Sequence, residues 1–379
     1  MEEVLIREET AKAAPPQEGE AAPFFSIIVP CCDVERYVRE CFESLLTQPF
    51  GDWECLVGVE TSKDATEAIV REYAAKDKRF RVFTGPRSGS CSASRNTATD
   101  MARGEYVIFL DGDDTIAEGC LQRLHDKIAA RPGADIYPCA MRVFNEVTGK
   151  DEPQRDNYPA DFSDELTGPE ATLMIYKLRR DPCPMLQLSV FRRLHLVENG
   201  LKCLYGHKRQ DSEFAPRALY LAKRVIPIHE PFYIYRMREN SVSMLNKNTG
   251  YYLKDYSGIL KSLLAFHAKV SREKGFDRRI SEFWARHWMN WICYYWFAPR
   301  VIHGTPRARR REVLKPVFAE GFGDFDLLCR AATRPRRIAA LFVKLFVRCR
   351  ALAWLADAFF LFIYYPLVGV RDSTHCTSF

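Results

Sequence analysis

Asp111-Gly112-Asp113-Asp114 puts three carboxylates into four residues, directly behind the very apolar run Tyr106–Leu110. Like charges gathered beside a buried strand need a cation or a partner. Hard oxygen donors suit Mg2+ or Mn2+, which typically bridge to substrate phosphates. Asp and Gly are also ordinary turn residues; the apolar run in front is what makes this stretch a candidate metal site. Asp211 opens the helical pattern Asp211–Ala222, where an Asp serves equally as a helix cap or as a general base. Arg236 and Arg238 flank Met237, so on a strand they share a face. His207 and His229 could be ligands but read as ordinary loop or strand histidines.

The elements that must position these groups alternate. Phe24–Pro30 is a short apolar run ended by Pro, as in a buried strand. Helical spacing over Val34–Gln48 follows, then a strand at Trp53–Val59, a helix at Ala65–Lys76 and a strand at Phe80–Phe83. Ser92–Arg103 is a helix with Gly104 as its C-cap. Tyr106–Leu110 is a strand, Glu118–Ala130 a helix and Asp135–Val143 one further strand. This rhythm predicts βαβ units and a parallel sheet covered on both faces. The fold class expected is therefore α/β, a doubly wound and mostly parallel sheet. Ligands bind such sheets beyond the C-terminal strand ends, where strand order reverses. If the first and fourth strands are neighbours, that crevice lies between Cys31–Glu35 and Asp111–Asp114. Asp151–Pro169 reads as a long loop, Glu170–Leu178 as a helix, Gln187–Asn199 as a strand-to-helix passage, and Arg224–Ile228 and Phe232–Arg236 as short strands. From Tyr251 onward the pattern is helical and aromatic-rich.

The 379 residues carry 55 basic and 49 acidic groups, a net charge of +6, unevenly spread. Residues 1–22 are acidic, with no apolar periodicity, and read as a disordered tail. Residues 300–350 hold thirteen Lys/Arg against four acids. A near-neutral body argues against a nucleic-acid partner, since the basic residues of such a binder should coat the main fold. The thirteen cysteines are odd in number, have no Cys-x-x-Cys pair and follow no apolar leader. A reduced, cytoplasmic setting without structural zinc is expected.

Several segments, in order, resemble the family 2 glycosyltransferases. They are FSIIVPCCDVERYVRECFESLLTQ, WECLVGVETSKDAT, SGSCSASRNTATDMARGEY, VIFLDGDD, and more weakly FRRLHLVENGLK and KRQDSEFAPRALYLAKRVIPIHEPFYIYRMRENSVS. The resemblance covers about residues 25–245 and implies a GT-A fold, an inverting reaction of hexosyltransferase type and a nucleotide-sugar donor, with UDP-sugars favoured. By the same resemblance, Pro30 and Glu35 lie near the nucleotide, and Glu60 stands where an Asp usually meets uracil. Arg95 and Asn96 match an element over the nucleotide. Asp111 and Asp113 match the Asp-x-Asp pair, with Asp113 the direct ligand of Mn2+ or Mg2+. Asp211 matches the general base, and Arg236 and Arg238 a basic stretch that can approach the diphosphate. The chain departs from the family pattern at Cys32-Asp33, at Val59-Glu60, at Gln210 before the base and at Ala98.

These expectations divide the chain into a disordered tail (1–22), a catalytic domain (23–245) and a C-terminal α-helical extension (246–379). Lys344 and Arg348 each lie within about 20° of Arg337 on a helical wheel, and no acid occurs from Leu327 to Ala356. A basic stripe opposite an apolar face is the pattern of an interfacial helix on anionic lipid. Asp357 and Pro366 interrupt the apolar stretch Ala351–Val370, so attachment at the inner face of the cell membrane is expected rather than a span. The acceptor is then a saccharide or a lipid-linked saccharide in surface polysaccharide or glycolipid synthesis. Two alternatives are a nucleotidyltransferase, for which Cys31–Val34 lacks a Gly-rich basic loop, and a catalytically silent binding protein of a membrane-bound assembly.

Overall fold

The computed structural model describes residues 21–156, 158, 165–177, 185–238 and 253–368. The acidic tail up to residue 20, part of the 151–169 segment, and the expected domain limit at 245 lie outside the described residues. The chain divides into two compact units, Met1–Ala171 with Pro182–Arg238, and Thr172–Asp181 with Glu239–Phe379.

In the first unit the apolar runs become the strands of a six-stranded sheet. They are β1 (Phe25–Cys31), β2 (Trp53–Glu60), β3 (Phe80–Gly85), β4 (Tyr106–Phe109), β6 (Ile136–Pro138) and β9 (Ser189–Arg192), in the order β3-β2-β1-β4-β9-β6. β1 pairs in parallel with β2 and with β4, and β2 with β3; β9 runs antiparallel to β4 and β6. Helices α1 (Val38–Leu46), α2 (Thr66–Lys76), α3 (Ser92–Met101) and α4 (Cys120–Ala130) make the crossovers. β1 and β2 are buried almost throughout, as strands covered on both faces must be. Glu54 is, with Glu60, one of two buried charged residues on β2. It is 2% exposed and accepts from Ser26 Oγ at 2.7 Å, the Arg103 backbone at 2.8 Å and Arg81 at 2.6 Å.

Four expectations are corrected. The single strand Asp135–Val143 is broken at Cys139, and its second half, β7 (Ala140–Asn145), enters another sheet. That sheet has four strands in the order β5-β10-β7-β8, with β5 (Thr115–Ile116), β8 (Lys150–Asp156) and β10 (Pro231–Met237). Part of the expected loop 151–169 is therefore β8, a polar edge strand held antiparallel to β7. Gly104 is no left-handed cap of α3. A Cβ there would stand 2.6 Å from the Ser26 backbone nitrogen, so its role is close approach to β1. Residues 224–228 form no full strand; Val225 makes isolated bridges to Ile136 and Leu166. The remaining helices in this stretch of the chain are α5 (Gly168–Lys177), which passes from the first unit into the second at Thr172, and α6 (Arg193–Glu198) and α7 (Asp211–Leu221) of the first unit.

The second unit is helical. α8 (Leu253–Val270), α9 (Arg278–Ile292), α10 (Pro299–Gly304), α11 (Arg307–Leu314), α12 (Gly323–Cys329), α13 (Arg334–Arg348), α14 (Ala353–Phe359) and α15 (Tyr365–Val368) follow in order. Trp284, Trp288, Trp296 and Phe297 form its core. Asp357, which breaks the apolar run, is buried and takes both guanidinium nitrogens of Arg310 at 2.8 and 2.9 Å. No helix of the described residues is long and apolar enough to cross a membrane.

Candidate active site

β1 and β4 are neighbours, which puts Asp111–Asp114 beside the end of β1 at the point where strand order reverses. Gly112 permits this approach. A Cβ there would meet Cys31 Sγ at 3.0 Å and the Pro30 carbonyl at 3.2 Å. Pro30, paired with Gly58 across β1 and β2, thus supplies the wall of the crevice.

The three carboxylates have different partners. Asp111 accepts from Arg95 Nη2 at 2.5 Å and from Gln187 Nε2 at 2.7 Å. Asp113 Oδ2 accepts both Nη2 and Nε of Arg238, at 2.7 and 3.0 Å. Its Oδ1 meets no donor from another described residue. Asp114 is 2% exposed and accepts from Tyr233 Oη and from the Arg236 backbone N–H at 2.7 Å. Burial, with repulsion from Asp111, raises the pKa of Asp113 above the usual carboxylate range. Burial, Asp113 and Asp111 raise Asp114 well above it. Among the described residues no three His, Cys, Asp or Glu side chains converge to cage an ion. The donor set fits a divalent ion that one carboxylate holds and a diphosphate completes.

Asp211 stands at the first turn of α7 and is half-buried. Burial raises its pKa; Arg209 and Arg95 pull it back down, and Asp111 pushes it up. Arg95 is the link. It is 3% exposed, binds Asp111 and, with the Gln210 amide turned so that both of its ends are satisfied, donates through Nη1 at 2.8 Å to the amide oxygen of Gln210, which precedes Asp211. The Gln210 amide nitrogen donates to the His207 carbonyl at 2.9 Å. One buried guanidinium therefore ties the Asp-x-Asp stretch to the start of the helix that carries Asp211.

Arg236 on β10 and Arg238, just past its end, turn to the same side. Arg236 Nε donates to the Asp113 carbonyl at 3.2 Å, its Nη2 pairs with Glu40 at 2.6 Å, and both guanidinium groups lie over the Tyr37 ring. Other expected residues are occupied elsewhere. Glu60 is buried, and its two oxygens accept from Ser88 Oγ at 2.6 Å and Ser88 N–H at 2.9 Å. Glu35 accepts from the Ala65 N–H at 2.8 Å, at the start of α2. Asn96 exchanges two hydrogen bonds with the Cys203 backbone at 2.8 and 2.9 Å, a peptide-like clamp. Asp33 adopts a left-handed φ of 53° and pairs with Arg87 at 2.6 Å. His229 faces Asp156 at 2.5 Å and His207 the Tyr205 carbonyl at 2.8 Å, as ordinary structural histidines do.

Gln187 and Tyr233 are the residues that sequence reasoning missed. Each had a signal. Gln187 is the lone amide in the apolar run Met185–Leu188, and a buried amide needs a partner. Tyr233 is a buried strand tyrosine whose hydroxyl must bond somewhere.

A mostly parallel sheet with a carboxylate cluster at its switch point has the doubly wound α/β architecture, whose ligands bind at that point. Residues 26–196 match the model of Glycosyl transferase family 2, so the chain carries a domain of that family. It is 30% identical over 227 residues to the uncharacterized glycosyltransferase EpsJ of Bacillus subtilis, covering 58% of this chain and 63% of that protein. The chain thus spans less than two thirds of that relative. It is 25% identical over 281 residues to the GalNAc(5)-diNAcBac-PP-undecaprenol beta-1,3-glucosyltransferase of Campylobacter jejuni, covering 69% of this chain and 81% of that one. The fold matches the crystal structure of S. aureus TarS 1-349 in complex with UDP-GlcNAc, with a TM-score of 0.63 and 20% identity over 93% of this chain and 91% of that one.

Proposed function

We propose that the chain is an inverting glycosyltransferase in cell-surface polysaccharide or glycolipid synthesis. It moves a sugar from a nucleoside diphosphate donor, a UDP-sugar, to a saccharide or lipid-linked acceptor. The observation that carries the reading is the Arg95 bridge, which joins the Asp-x-Asp carboxylates to the helix start bearing Asp211. The UDP-GlcNAc in the S. aureus structure supports the donor class, and the name of the C. jejuni relative supports a lipid-linked acceptor.

Asp211 takes the acceptor hydroxyl proton as that oxygen bonds to the anomeric carbon. The bond from that carbon to the diphosphate oxygen breaks, and the nucleoside diphosphate leaves with the electron pair. One base opposite one leaving group gives a single displacement and inversion. Asp113 Oδ1 would hold Mn2+ or Mg2+, with Asp111 oriented beside it by Arg95 and Gln187. Such an ion supplies Lewis-acid neutralisation of the leaving diphosphate. Arg236 and Arg238 are the cations nearest the pair and suit phosphate oxygens. Pro30, Glu35, Glu60 and Asn96 lie on the first unit's β1, β2 and α3 and the turn after β1, and would frame the nucleotide side. A lipid-linked acceptor fits a cytoplasmic enzyme held peripherally at the inner membrane face.

A thermal-shift panel of nucleotide sugars with and without Mn2+ tests the reading. A few UDP-sugars are expected to raise the melting temperature, and only with metal. Stabilisation by none of them, or by nucleoside triphosphates alone, would sink it.

A further inference from the structure

The sequence points to Arg337, Lys344 and Arg348 as a lipid-facing stripe, but the helical unit uses these groups internally. The Arg337 guanidinium donates to the carbonyls of Ala332 and Arg330, at 2.8 and 2.7 Å. Lys344 pairs with Asp326, and Arg348 lies 4.6 Å over the Phe322 ring. A different face is left unpartnered. α13 buries Ala339, Ala340, Val343, Phe346 and Val347, while Leu341 is 62% exposed and Ile338 39%. Beyond the short connection Cys349–Leu352, Trp354 is 52% exposed, and Phe362 and Ile363 are 77% and 48% exposed.

These residues lie on one helical hairpin. A connection of this length makes α13 and α14 an antiparallel helical hairpin. Phe342 on α13 stacks face to face on Phe359 of α14, with ring centroids 3.9 Å apart. Ile338 lies one turn before the first ring and Phe362 and Ile363 one turn after the second, so they meet at the open end. Leu352 and Trp354 mark the loop end, and Leu341 lies between. Exposed Arg334 and Arg350 stand at the two ends, and no acidic residue occurs from Leu327 to Ala356. The next acid, Asp357, is buried on Arg310.

We propose that this hairpin face docks in-plane on an anionic lipid surface, inserting Leu341, Trp354 and Phe362 between headgroups with arginines at both ends. Charge decides the occupant. A second copy of the chain would set one all-basic rim against another, whereas anionic headgroups complement it. An apolar patch flanked by basic groups, with a Trp at its edge, is what an interfacial helix presents. At 15 residues α13 spans about 22 Å, short of the bilayer core of about 30 Å. The proposal deepens the peripheral placement above and is independent of the sugar chemistry.

The test is flotation of the full chain with phosphatidylcholine vesicles that contain or lack phosphatidylglycerol. The wild type is expected to float with the anionic vesicles, and less so at high salt. Leu341→Ser/Phe362→Ser should lower binding about tenfold or more, with the melting temperature and the UDP-sugar shift unchanged. As a second readout that does not depend on that variant's folding, anionic vesicles should blue-shift the tryptophan emission of the wild type but not of Trp354→Phe. Equal flotation with neutral vesicles, unchanged flotation of the double variant, or a dimer that the double variant abolishes would overturn the proposal. Lost flotation with an intact UDP-sugar shift removes the surface and leaves the transferase reading standing; a lost shift with intact flotation does the reverse.

Discussion

Arg95 has no solvent to lean on, so both of its ends must be met by protein. One Nη meets Asp111 and the other the amide of Gln210, and Asp211 follows in the chain. Gln210 has both ends of its amide met: its oxygen accepts from Arg95, and its nitrogen donates to the His207 carbonyl. Asp211→Asn cannot take a proton, and a loss of about a hundredfold to ten-thousandfold in kcat is expected, with an unchanged melting temperature. Asp113→Ala should abolish transfer equally. The pH profile has a defined sign. Burial lifts the Asp211 pKa above the ordinary 3.8, so the carboxylate is lost as pH falls through a value higher than that. The acid limb of kcat/KM should therefore lie above pH 3.8 and rise with pH. A limb at or below that value would remove Asp211 as the base.

At the scale of elements, the strand ends decide what meets. The turn after β4 carries its carboxylates only because Gly112 lets it lie against β1. Gly112→Ala forces the Cys31 thiol and the Pro30 carbonyl to give by a few tenths of an ångström. A stability loss of about 1–3 kcal/mol is expected, read by chemical denaturation, together with a weaker UDP-sugar shift. Full stability with full nucleotide response would show that the crevice has slack. β1, β2 and β4 were legible because strands covered on both faces must be nearly continuous apolar runs. The second sheet was not. β8 is polar Lys150–Asp156, an edge strand that only its pairing with β7 defines. The break at Cys139 is equally silent in a run that is apolar on both sides.

For the whole molecule, each unit has its own core and its own buried charge. In the helical unit, Arg310 is 1% exposed and Asp357 4%, and Arg310 also donates to the Trp296 carbonyl at 2.8 Å. Removing one partner strands a buried cation, so Asp357→Ala should cost about 3–5 kcal/mol. Replacing the pair together, as Arg310→Met/Asp357→Leu, should recover most of that loss. Denaturant melts of both variants check this; a double variant as unstable as the single one would mean that the pair does more than cancel charge.

The sequence by itself determined the alternation of the first four strands with their helices, the family, the Asp-x-Asp stretch and the helix that Asp211 opens. Each of these is written locally, in periodicity or in adjacent residues. Tertiary structure alone decided that Arg95 joins Asp111 to Gln210, and that Gln187 and Tyr233 hold the carboxylates. It also tied the basic stripe of α13 to the Ala332 and Arg330 carbonyls, Asp326 and the Phe322 ring of its own unit, and left the neighbouring apolar residues Ile338 and Leu341 exposed. These are contacts between residues distant in the chain. Helical periodicity marks which side chains share a stripe, but packing chooses which stripe is buried.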